Sequence, residues 1–172
     1  MNVVAPLALA ASLTVPGPAG AWMPPAPGFP AADVLPAAGV WPLDPRPEVV
    51  SGFHPPASRW GAGHRGVDLR GHVGQPVHAA EAGTVRFVGR IAGRGVVVVD
   101  HGGTRTTYEP VGGSVTVGRR VRTGAVLGTL ELAGSHCFPS ACLHWGLLEG
   151  ARTYRDPLTL VGAGPVRLLP LH

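Results

Sequence analysis

Apolar and polar positions divide the chain near residue 38. Before it, apolar residues run from Val3 to Leu13 and then give way to proline. Thirteen of the 19 prolines precede residue 58. The stretch Pro24-Pro25-Ala26-Pro27-Gly28-Phe29-Pro30 excludes helix and central strand, because proline removes a donor and fixes φ. Beyond residue 63 the pattern is that of strands. Residues 83–89 alternate small or polar with apolar, the period of a half-buried strand. Residues 95–100 are a β-branched run and read as a central strand. Further strands are expected at 67–69, 104–108, 115–117, 125–132 and 143–148, with Gly102-Gly103 and Gly112-Gly113 as turns. No segment there offers a long amphipathic helix. Connections this short require antiparallel pairing, since a parallel crossover needs a dozen or more residues. The expected fold is mostly β: a compact, Gly-rich antiparallel β-sheet domain over residues 39–162, followed by a tail at 163–172.

Composition supports this picture. The 172 residues include 26 glycines, with 45% apolar and 14% charged residues, enough to build a core. The net charge of +4 comes from 14 basic and 10 acidic residues, and every lysine-or-arginine position is arginine. No basic block or nucleic-acid-binding pattern accompanies it, so nucleic acid is not an expected partner. The apolar run at 3–13 is too short for a transmembrane helix. Followed by Ala19-Gly20-Ala21, it reads as a signal peptide over residues 1–21, although no arginine precedes it. Residues 22–38 then form a Pro/Ala-rich flexible segment, and the protein is expected to be secreted or cell-wall associated.

Three groups carry candidate chemistry. His64 and Asp68 sit four apart in Gly63-His64-Arg65-Gly66-Val67-Asp68, where the glycines favour a turn leading into a strand. In Cys142-Leu143-His144-Trp145-Gly146, alternation places Leu143 and Trp145 on a buried face and His144 on the opposite one. His136-Cys137 lies just upstream. Two imidazoles and a carboxylate can hold one Zn²⁺ and leave a fourth position for water.

These segments together resemble the lysostaphin/LytM-type zinc endopeptidases (peptidase family M23), which cut peptide cross-links in bacterial peptidoglycan. The resemblance spans about residues 41–160. It rests on Gly63-His64-Arg65-Gly66-Val67-Asp68, on Pro76-Val77-His78-Ala79 through Val85, on Asp100-His101-Gly102 with Thr106-Thr107-Tyr108, on the turn at 115–128, and on Cys142-Leu143-His144. It implies a β fold with loops around a zinc cleft, and His64, Asp68 and His144 as the ligands.

The chain departs from that family at two positions. The catalytic histidine usually found two residues after the tyrosine is Pro110, and the first histidine of H-x-H is Cys142. His136 and Glu109 are the available substitutes. If Tyr108 faces the cleft, however, alternation turns Glu109 away from it. Trp60 and Tyr108 are the candidate cleft-lining aromatics. Cys137 and Cys142 suit a disulfide in an exported protein; alternatively, Cys142 could give zinc a thiolate. The implied function is peptide-bond hydrolysis in peptidoglycan. The alternative is a non-catalytic zinc domain that binds cell wall or regulates another cell-wall hydrolase.

Overall fold

The computed structural model describes residues 39–58 and 60–164. The expected signal peptide and flexible segment lie outside these residues, as does the tail from 165. The strands are β1 (Val49–Ser51), β2 (Gly66–Arg70), β3 (Pro76–His78), β4 (Gly83–Ile91), β5 (Arg94–Asp100), β6 (Thr104–Glu109), β7 (Val111–Gly113), β8 (Arg120–Val121), β9 (Val126–Leu130), β10 (Cys142–Glu149) and β11 (Thr153–Arg155). A 3-10 turn, Pro157–Val161, follows. The larger sheet has the order β1-β2-β10-β6-β5-β4-β8, with β11 also paired to β10; the smaller sheet is β3-β9-β7. Every pairing is antiparallel, as the short connections require.

The core lies between the two sheets. Val67, Leu69, Val97, Val99, Leu143 and Trp145 of the larger sheet meet Val77, Val111, Leu127 and Leu130 of the smaller one. Each such side chain contributes about 1.5–3 kcal/mol on leaving water. Central β10 shows the expected alternation: Leu143 and Trp145 are fully buried in this core, with Trp145 opposite Val67 on one side and Tyr108 on the other.

Tyr108 corrects one expectation. It is fully buried in the core and does not line a cleft. Its hydroxyl oxygen accepts from the Ala80 backbone N–H and the Thr106 hydroxyl, each at 2.9 Å. Burial pushes its pKa up to about 12 from the usual 10.0. An acid whose folded pKa is raised keeps its proton longer when folded, so stability present below pH 10 is lost as pH rises toward 12. At 1.36 kcal/mol per unit, the loss is on the order of 2–3 kcal/mol. Chemical denaturation at pH 8 and pH 11 should therefore show a fall in wild-type stability that is largely absent in Tyr108→Phe.

Two further corrections concern strands. Residues 115–117 are not a strand, and Gly112-Gly113 belong to β7 instead of forming a turn. The glycines permit close packing there: a Cβ on Gly113 would lie 2.6 Å from Val88 Cγ1. Arg120–Val121 forms edge strand β8 against β4.

Candidate metal centre

The site is built on register. Asp68 on β2 pairs with His144 on β10, and His144 pairs in turn with Glu109 on β6. Directly opposed residues share a face. Asp68, His144 and Glu109 therefore form one row on the side away from the core, because Trp145 and Tyr108 take the core side. The expectation that alternation sends Glu109 away fails for this reason. It rested on a cleft-facing Tyr108, and Tyr108 faces inward.

His64 enters from the turn before β2. A backbone bridge with His54 holds it, with N···O distances of 3.0 and 2.7 Å. Its Nδ1 donates to the Gly52 carbonyl at 2.6 Å, which leaves Nε2 as its lone-pair atom. That atom lies 3.0 Å from His144 Nδ1 and 3.2 Å from Asp68 Oδ1. His144 Nδ1 is 2.8 Å from the same carboxylate oxygen.

His136 completes the group, with Nδ1 3.1 and 3.3 Å from the two Asp68 oxygens. Its loop is held by the Cys137–Cys142 disulfide, as expected, so Cys142 offers no thiolate ligand. The Ser135 hydroxyl reinforces the loop by accepting from the N–H groups of Cys137 and Cys142 and donating to the Ser140 carbonyl.

The ligand atoms of His64, Asp68, His136 and His144 all lie within 4.8 Å of one another. Lone-pair nitrogens and a carboxylate brought this close repel unless a proton or cation sits among them, and His₂Asp suits Zn²⁺. Burial acts to raise the Asp68 pKa. The hydrogen bond from His144 and the electrostatic influence of the His64, His136 and His144 rings outweigh it, holding the carboxyl below its usual range. It is thus ready as an anionic ligand at neutral pH.

Arg94 is a functional candidate that the sequence reading missed. Its guanidinium donates to His136 Nε2 at 2.9 Å and lies 3.7 Å from Glu109 Oε1. With arginine donating at Nε2, His136 carries its proton on Nδ1, toward Asp68. Alternation on β5 was the available signal, since buried Val97 and Val99 put 94 on the opposite face. Trp60 is 85% exposed and lines a cavity beside Arg65, farther along β10.

Gly66 sits where a side chain cannot. A Cβ there would collide with the Trp145 carbonyl oxygen and lie 2.8 Å from His144 Nε2. Gly66→Ala is expected to displace the β2–β10 pair and weaken zinc binding. Competition with a chelator of known affinity would measure the loss, and unchanged affinity would refute it.

A model described as Peptidase family M23 matches residues 62–157 of this chain. An uncharacterized protein of Mycobacterium tuberculosis is 49% identical over 135 residues, covering 76% of this chain and 54% of its own length. The chain thus spans about half the length of the curated relatives it matches. Among solved structures, a zinc containing peptidase from Vibrio cholerae superposes with a TM-score of 0.54 at 23% identity, covering 63% of this chain and 36% of that one. The antimicrobial peptidase lysostaphin from Staphylococcus simulans gives a TM-score of 0.58 at 21% identity, covering 72% and 54%. These likenesses establish the shared fold. Among the described residues no helix is long and apolar enough to cross a membrane.

Proposed function

Because the chain belongs to peptidase family M23, we propose that it is an exported zinc endopeptidase that hydrolyses peptide bonds in bacterial peptidoglycan. The observation that carries this reading is the convergence of His64, Asp68, His136 and His144 on one site. His64 through Nε2, Asp68 through its carboxylate and His144 through Nδ1 would hold the ion. When bound, zinc supplies Lewis acidity toward the scissile carbonyl and the attacking water.

The remaining residues take the roles left by the missing family histidines. His136 is the proton-handling group. Asp68 orients its ring through Nδ1–H, which leaves Nε2 as the basic atom. A water that takes the place of the Arg94 guanidinium at Nε2 would give up its proton there. The same nitrogen then returns the proton to the leaving amine. Glu109 holds Arg94 beside the site, where its fixed positive charge would stabilise negative charge developing on the substrate carbonyl oxygen.

The second reading, a non-catalytic zinc domain, is favoured by Pro110 and Cys142 standing where the family carries histidines. Digestion of purified peptidoglycan by zinc-loaded protein, with fragments read by mass spectrometry, separates the two. New peptide termini support hydrolysis. Intact peptidoglycan after incubation with folded, zinc-bound protein would support the wall-binding or regulatory reading.

A further inference from the structure

The face of β10 that carries His144 continues beyond the metal cluster. After the Asp68–His144–Glu109 row, the next row is Gly66–Gly146–Thr107, and the third includes Leu148, Arg105 and Tyr154. The middle row is tightly packed around its two glycines: a Cβ on Gly146 would lie 2.5 Å from Thr107 Oγ1. The third row opens into a cavity of about 870 Å³, also lined by Trp60, Arg65 and Arg152. Three guanidinium groups line it, and no carboxylate is among its described lining residues.

The cavity is organised for an anion. Arg105 is held by the carbonyls of Gly150 and Ala151, both at 2.9 Å, so its planar group is fixed before any ligand arrives. The Arg65 guanidinium lies over the Tyr154 ring, 5.7 Å from its centroid. Trp60 forms an exposed aromatic wall.

We propose that this cavity is a carboxylate-binding subsite for the peptide substrate, reading a free carboxyl group about four residues from the scissile bond. The distance follows from the strand. His144 and Leu148 are four residues apart, or ~13 Å at strand rise, and an extended peptide lying along β10 advances by the same amount per residue. A fixed guanidinium matches the two oxygens of a carboxylate, and the apolar walls of Leu148 and Trp60 accept the peptide's own side chains. The inference rests on the peptidase reading, because it takes the metal cluster as the point of cleavage.

Binding tests it without requiring cleavage. Pentaalanine with a free C-terminal carboxylate and its C-terminal amide would be titrated into wild-type protein, Arg105→Ala and Arg152→Ala, followed by NMR shifts of the Trp60 indole. The acid is expected to bind wild type roughly 10-fold or more tighter than the amide, the scale of a charge-assisted hydrogen bond. Arg105→Ala should lose most of that difference, and Arg152→Ala part of it while keeping the wild-type melting temperature; an unchanged preference in both variants would overturn the subsite. Equal affinities, or no binding of either peptide, would overturn the subsite. Tighter binding of inorganic phosphate than of the acid peptide would also overturn it, in favour of a phosphate polymer. If the acid is preferred and peptidoglycan remains uncut, carboxylate binding by the cavity stands, while the peptidase reading and the spacing from a scissile bond fail. Peptidoglycan cleavage without acid preference has the reverse meaning.

Discussion

His144→Ala should lose tight zinc binding and, with it, hydrolysis. His144 Nδ1 lies 3.0 Å from His64 Nε2 and 2.8 Å from Asp68 Oδ1, so removing it opens one whole side of the ligand set. Its replacement also leaves Asp68 buried with one hydrogen-bonding partner fewer. The Lewis acidity of the ion is worth several kcal/mol of barrier, on the order of 10³-fold in rate at 1.36 kcal/mol per decade. Zinc content after dialysis and peptide release from peptidoglycan should fall together. Asp68→Asn should behave alike, because the amide keeps the shape of the carboxylate and discards its charge. Full zinc occupancy in both variants would remove His144 and Asp68 from the ligand set.

His136→Ala should separate the two properties that His144→Ala removes together. Zinc should remain bound through His64, Asp68 and His144, while turnover falls by roughly 10²-fold or more, the usual loss when a positioned acid–base group disappears. The reasoning is geometric. His136 hydrogen-bonds Asp68 through Nδ1 and presents Nε2 on the side where Arg94 and Glu109 lie. Being half-exposed, it can meet solvent and substrate in a way that the more buried His144 cannot. Zinc stoichiometry and single-turnover cleavage would be measured on the same preparation. A large drop in zinc affinity would make His136 a fourth ligand, which closes the site and favours a structural metal. Unchanged turnover per zinc would end its catalytic assignment.

Part of this site was readable along the chain, and part was not. The two faces of β10 follow from the order Cys142-Leu143-His144-Trp145-Gly146, because a strand alternates whatever it pairs with. His64 and Asp68 were readable because a glycine-bounded turn runs straight into a strand, which keeps residues four apart close in space. The disulfide was readable because its cysteines are only five positions apart.

Glu109, Tyr108, Arg94 and the role of His136 depended on contacts that no local pattern contains. Alternation divides β6 into two faces without saying which one meets the core; pairing with Trp145 put Tyr108 inside and Glu109 beside His144. Arg94 and His136 are 42 positions apart and meet only because β5 and the disulfide-held loop converge at one edge of the site. The residues at 110 and 142 showed that two imidazoles were missing. The folded chain brings His136 beside Asp68 from a neighbouring loop, a placement open to a proton-transfer group because such a group is constrained by its distance to the reacting atoms and not by its place in the sequence.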